Sequence, residues 1–188
     1  MDYIKKIDIE VVEARLGVDF RRNIISIGFD VAGHETGIAV IRTTDSYLIL
    51  EIVHKFSIPN KVTEMDALDL FISQLDDFKL KMSQKYKFDE NIIENCFFGK
   101  NVNTTKLLAR CSGLVYDRFK GISNHSQLIM PTTARSNIRF KKDNPSSKGP
   151  QLKKEILNYI NDVLETKIKD DDIGDGIVLA LNGLLLTY

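Results

Sequence analysis

Four acidic residues stand at the edges of hydrophobic segments: Asp30, Glu94, Asp172 and Asp175. Asp30 ends the apolar run IISIGFD, Glu94 lies within NIIEN, and Asp172 and Asp175 open DIGDGIVLALNGLLL. Carboxylates at the ends of separate elements converge only through the fold. If these converge, they form an oxygen-ligand cage for Mg²⁺ or Mn²⁺. That is the equipment for two-metal cleavage of a phosphodiester.

Each acid also has a plainer reading. Asp30 suits a turn initiated by its own side chain. Glu94, in IIENCFF, is desolvated if its strand is central, and then needs a metal, a basic partner or a watery edge. Asp172 and Asp175 are three residues apart and share one helix face. Aspartates at a helix start also cap it and suit its dipole, a need that Asp170 or Asp171 meets equally well. Lys100, Lys106 and Arg110 follow the Glu94 segment, the last two at a spacing that shares a helix face. They suit phosphate contacts or a solvated surface. Phe97 and Phe98 precede Gly99, placed either to fill a core or to stack on an unpaired base. His34, His54 and His125 are isolated, and no pairing among them suggests a catalytic triad.

The elements that must position these groups are legible from periodicity. Residues 24–30, 36–43 and 47–56 read as three successive strands rich in Ile, Val and Leu, joined by VAGHE and TTDS. Residues 64–82 read as a helix with Leu68, Phe71, Ile72, Leu75, Phe78 and Met82 on one face. A strand over 91–96, a helix over 103–119 and a strand over 126–130 follow. Residues 131–150, with Pro131, Pro145, Gly149 and Pro150, read as loop. Helices over 151–165 and 173–186 close the chain. The order predicts a mixed five-stranded α/β sheet, an antiparallel meander followed by parallel strands, with helices on both faces. That layout is ribonuclease-H-like. Residues 1–22 read as an N-terminal extension holding one helix near 9–16, and residues 23–188 as the main domain.

Length and composition fit one soluble domain: 188 residues, 43% hydrophobic and 28% charged. No apolar run reaches the ~20 residues of a membrane span, and the charged N-terminus does not read as a signal peptide. Cys96 and Cys111 lie in hydrophobic segments and read as buried reduced thiols. Net charge is zero, but its distribution is uneven. Residues 131–154 carry Arg135, Arg139, Lys141, Lys142, Lys148, Lys153 and Lys154 against the single acid Asp143. Residues 64–77 carry five acids and no base. A cationic surface suited to nucleic acid therefore coexists with a neutral total.

Three blocks of the chain resemble the RuvC family of Holliday junction resolvases. IISIGFDVAGHETGIAVIR resembles its first strand pair. IIENCFFGKNVNTTKLLARCSGLVYD resembles its block with a metal-binding Glu and an aromatic three residues on. DDIGDGIVLALNGLL resembles its final acidic helix. The resemblance implies a homodimer that binds branched DNA and resolves four-way junctions by paired nicks, with Asp30, Glu94, Asp172 and Asp175 holding two Mg²⁺ ions. It implies that Phe97 probes unpaired bases and that phosphates are held by Lys100, Lys106, Arg110, Arg135, Arg139, Lys141, Lys142 and Lys148. A branch-migration helicase is a further implied partner, and the implied location is the cytoplasm of a bacterium or phage-infected host. The family's functional lysine before the penultimate helix has Lys148 as its nearest counterpart. The turn VAGHE departs from the commoner Pro-Gly form, and the N-terminal extension has no counterpart in the shortest members. Three other readings stay open: a broader nuclease for flaps, forks and junctions, a junction-binding module without cleavage, and an unrelated α/β domain whose acids only cap and solvate.

Overall fold

The computed structural model describes residues 2–32, 34–59, 61–95 and 102–186. The N-terminal segment forms β1 (Asp2–Asp8) and α1 (Ile9–Leu16). Asp8 caps the helix by accepting from the Glu10 N–H at 2.9 Å, and Gly17 ends it in the left-handed region at φ 67°. The meander is β2 (Ile25–Val31), β3 (Glu35–Thr43) and β4 (Tyr47–Ser57). Then come α2 (Glu64–Ser83), β5 (Phe88–Glu94), α3 (Val102–Phe119) and β6 (Ser123–Ile129). Helices α4 (Pro131–Asn137), α5 (Pro150–Leu164) and α6 (Asp171–Leu184) complete the chain.

The sheet runs β1-β4-β3-β2-β5-β6. The pairs among β1, β4, β3 and β2 are antiparallel, and β2-β5 and β5-β6 are parallel. This is the expected mixed sheet, with β1 added as a sixth strand at the β4 edge. Two layers cover it. On one face, α2 and α3 bury Phe71, Leu75, Phe78, Cys111, Val115 and Phe119 against Ile27, Phe29 and Val40. Phe29 meets Phe119 edge-on at a 4.8 Å centroid separation. On the other, α1, α4, α5 and α6 pack on Ala39, Ile41, Leu48 and Leu50. Cys111 is buried and unpaired, and Cys96, Phe97 and Lys100 lie outside the described residues. Among the described residues, no helix is long and apolar enough to cross a membrane.

Residues 1–22 contribute Ile7, Ile9, Val12, Leu16 and Phe20 to the same core as α5 and α6. Glu13 pins the segment, accepting from the Phe20 N–H at 2.7 Å and from the two terminal Arg22 guanidinium nitrogens at 2.5 and 2.8 Å. The Arg22 hydrogen bond holds the Glu13 carboxyl below the usual carboxylate range despite partial burial. Glu13→Ala is expected to cost about 1–2 kcal/mol in urea denaturation, because two charge-assisted contacts and a backbone donor lose their acceptor. An unchanged midpoint would show that the segment is held by apolar packing alone.

Residues 131–137 are helical where the sequence suggests loop. Pro131 starts this short helix, and Ala134 and Ile138 are buried beneath it. Seven mostly polar residues give too little periodicity to be read in advance.

A register shift between β3 and β4 has a direct bearing on function. Val40 pairs with Ile52, yet Ile41 pairs with Leu50, so Glu51 is the extra residue of a bulge. Leu48 and Leu50 therefore face the α6 layer, whereas Ile52 and Phe56 face the α2 layer. The bulge thus turns Val53 and Lys55 toward α6.

Candidate active site

The acids are gathered by three elements. Asp30 lies on β2 opposite Gly37, and Glu94 ends the neighbouring parallel strand β5. Both carboxylates thus emerge where parallel strands end, the side of an α/β sheet at which ligands gather. Asp172 and Asp175 are on the first turns of α6. The helix is capped by Asp170, whose Oδ1 accepts from the N–H groups of Asp172 and Ile173 at 3.1 and 3.2 Å. The capping need is thus met outside the pair, and Asp172 and Asp175 turn inward with 6% and 5% exposure. Asp30 is 5% exposed.

Helix α6 approaches this closely because glycines line the sheet beneath it. A Cβ on Gly28 would lie 2.3 Å from the Ala180 nitrogen and the Gly176 oxygen, and one on Gly37 would lie 1.9 Å from the Asp172 oxygen. Backbone thus rests on backbone, which brings the helix start beside Asp30.

Three basic side chains meet the carboxylates. Lys153, on the first turn of α5, places Nζ 2.5 Å from Asp172 Oδ1 and 3.8 Å from both Asp30 Oδ2 and Asp175 Oδ2. Lys55 reaches the other Asp172 oxygen at 2.9 Å, with Asp170 Oδ2 at 2.9 Å and Glu35 Oε2 at 2.8 Å. Arg135, on α4, donates to Asp175 Oδ1 at 3.1 Å.

Burial and these neighbours push the acids apart in strength. Burial, then the hydrogen bond and charge of Glu94, raise Asp30 well above the usual carboxylate range. Burial raises Asp175 to about 6, helped by the Asp30 charge and opposed by Arg135 and Lys153. Burial alone would raise Asp172 too, but hydrogen bonds from Lys153 and Lys55 outweigh it and hold the group at about 2. Both lysines are stabilised as ammonium ions, the carboxylates outweighing the cost of burial.

The donor set fits a hard divalent cation: oxygens only, anionic, on rigid elements. Asp30 Oδ2 is buried and has no hydrogen-bond partner, an unmet acceptor that a cation would satisfy. Asp170, Asp171 and Asp172 also bring carboxylate oxygens within 4.8 Å of one another at the rim. There Asp170 already serves the cap and Lys55.

The sequence-predicted residues divide clearly. Asp30, Glu94, Asp172 and Asp175 come together. Arg135 was expected on the DNA surface but is 18% exposed and points into the carboxylates. Arg110 pairs with Glu64 of α2 at 2.5 Å. Lys106, Arg139, Lys141, Lys142 and Lys148 are exposed, and Lys142 also donates to the Ser147 carbonyl at 2.8 Å. Lys148 stays on the surface, and the lysine that enters the cluster is Lys153. Lys55 and Lys153 were missed as site residues. Lys153 carries no signal beyond membership of a basic stretch. Lys55 falls on the wrong face under strict strand alternation, and only the bulge at Glu51 redirects it.

No family model matches the chain, and no curated protein does. Among solved structures, RuvC of T. thermophilus in complex with a Holliday junction substrate matches with a TM-score of 0.62 and 12% identity, over 84% of this chain and 90% of that one. The Thermus thermophilus RuvC structure gives 0.61 and 11% over 84% and 91%. The yeast mitochondrial Holliday junction resolvase Ydc2 is a weaker match, at 0.47 and 13% over 91% and 82%. The expected architecture and the two RuvC matches agree: the chain has the ribonuclease-H-like fold of RuvC.

Proposed function

We propose that this protein is a divalent-metal-dependent endonuclease that resolves four-way DNA junctions by paired nicks. The carrying observation is the convergence of Asp30, Glu94, Asp172 and Asp175 in a RuvC fold, with an unsatisfied buried oxygen on Asp30. One solved RuvC structure holds a Holliday junction substrate, and the same ligand class suits this chain's exposed basic side chains.

The four acids are the proposed ligands of two Mg²⁺ ions. When bound, such ions activate a water for in-line attack and stabilise the leaving 3′ oxygen. The chain's own groups do the rest. Asp30 presents its unpartnered buried oxygen, and Glu94 stands beside it as the second carboxylate of that edge. Lys55 holds the outer oxygen of Asp172, fixing the direction of the inner one. Arg135 does the same for Asp175. Lys106, Arg139, Lys141, Lys142 and Lys148 supply exposed positive charge for phosphates. Residues 23–188 form the proposed nuclease domain, with residues 1–22 as an extension built onto its sheet and core. Two nicks across one junction call for two copies of the site, hence a homodimer.

The test compares a labelled four-way junction with a matched linear duplex, in Mg²⁺ and in EDTA, beside Glu94→Gln. Paired nicks in the junction only, Mg²⁺-dependent and absent in the variant, are expected. Equal cutting of flaps and forks would broaden the specificity, and binding without nicks would leave a junction-binding module. Lys141→Glu with Lys148→Glu should weaken junction binding and lower its salt slope by about 1 per lysine removed. An unchanged slope removes this loop from the DNA surface.

A further inference from the structure

We propose that Lys153 is an internal occupant of the cation site, an ammonium ion that must withdraw before a divalent cation binds. The proposal rests on the reading of these carboxylates as metal ligands.

The oxygens are divided among three basic groups in a telling way. Lys55 takes Asp172 Oδ2 and Arg135 takes Asp175 Oδ1, each on the outside of its carboxylate. The remaining oxygens, Asp172 Oδ1, Asp175 Oδ2 and Asp30 Oδ2, are those nearest Lys153. Among the described residues, its ammonium is the group that contacts all three acids. It therefore marks the point where their inner oxygens converge, the place a divalent cation would take. Lys153 does not saturate it: at 3.8 Å it makes no hydrogen bond to Asp30 Oδ2, which remains buried and unpartnered.

Lys153 is also built to leave. Its side chain is 34% exposed, and the flexible four-carbon stem moves without its helix. The helix start is held elsewhere: Glu155 accepts from the Ser147 hydroxyl and from the Asp143 N–H, and so ties the preceding loop to α5. Two cations cannot share one point at this spacing in a buried site. Metal loading is thus an exchange, and the apparent affinity is lowered by the fraction of molecules in which Lys153 is still in place. Once withdrawn, the ammonium is at the surface, where a DNA phosphate would hold it. Substrate and metal then favour the same lysine position, and each strengthens binding of the other.

The test is a Mn²⁺ titration without DNA, read from the EPR signal of free Mn²⁺. Lys153→Met should bind Mn²⁺ at least about tenfold more tightly than wild type, since a residue in place 90% of the time or more costs that factor. Lys153→Gln should follow it, and it keeps the measurement available should the methionine variant unfold in EDTA. Lys154→Met, the exposed neighbour, should be unchanged. In EDTA, Lys153→Met should melt below wild type, because three carboxylates lose their shared cation, and Mn²⁺ should raise its Tm by more. Equal or weaker Mn²⁺ binding in both Lys153 variants, with wild type binding normally, overturns the proposal. Absence of Mn²⁺ binding in wild type and variants alike would sink the metal-site reading itself.

Discussion

Asp175→Asn should lose nicking, keep junction binding and melt higher than wild type in EDTA above pH 6. The rate loss is expected to exceed about a hundredfold, because mutating mere outer partners of metal ligands already costs roughly 10–100-fold. Binding survives because Asp175 is buried under Arg135 and Lys153 and presents nothing to phosphate.

The stability gain follows from the raised acid strength. Asp175 titrates at about 6 in the folded protein, against about 3.9 in an unfolded chain. Between those values the folded state holds the extra proton, so stability falls as pH rises. The group's contribution is intact below about pH 4 and lost above pH 6, and the full loss approaches about 3 kcal/mol. Asparagine carries no charge and removes this dependence, and it relieves the neighbouring Asp30 as well. It still offers Arg135 an acceptor oxygen. Wild type and variant should therefore melt together near pH 4 and diverge toward pH 7.5. Asp172 runs the other way: held at about 2, it adds stability above its unfolded value and loses it only as pH falls toward 2. That contribution is common to both proteins. A variant that nicks normally would remove Asp175 from the ligand set, and one that is unfolded would make it structural.

Gly37→Ala should be the most damaging alanine substitution among the described glycines. The added methyl would lie 1.9 Å from the Asp172 carbonyl oxygen and 2.2 Å from its carbon. Ordinary contact requires an opening of about 1.5 Å, and backbone at the start of α6 cannot give as a side-chain tip can. A cost of about 3 kcal/mol or more is expected, at the upper end of overpacking effects. Surviving folded protein would carry Asp172 displaced from Asp30, and a misplacement of about 1 Å is enough for a hundredfold loss of rate. Gly113→Ala provides the contrast. That glycine is on the exposed side of α3 with open space around it, and alanine there should stabilise by up to about 1 kcal/mol. Equal melting of the two variants would show that α6 has room to shift, and would undo the close-packing account.

Much of this was legible in one dimension because it depends on local periodicity. The Ile-, Val- and Leu-rich runs of β2 and β3, the 3.6-residue stripe of α2 and the apolar face of α3 predict their elements to within a few residues. Acids that interrupt or end such runs stand out because burial would penalise them without a partner. Hence Asp30, Glu94, Asp172 and Asp175 stand out in the sequence, and the fold brings them together.

Other features were decided only by tertiary structure. β1 reads as a charged extension, yet becomes an edge strand, where Lys5, Lys6 and Asp8 suit a half-solvated position. α4 has too few turns to show a period. Whether Asp172 caps its helix or faces the site depended on Asp170 taking the cap. The cations were hardest to foresee. Lys153 looks like any residue of a basic stretch until α5 docks, and Lys55 faces the acids only because one extra residue at Glu51 reverses the strand. Sequence determined most of the elements and the acids they carry, since both follow from spacing along the chain. Tertiary structure decided which positive charge meets which carboxylate, since that depends on register and on helix approach, and neither is a local property.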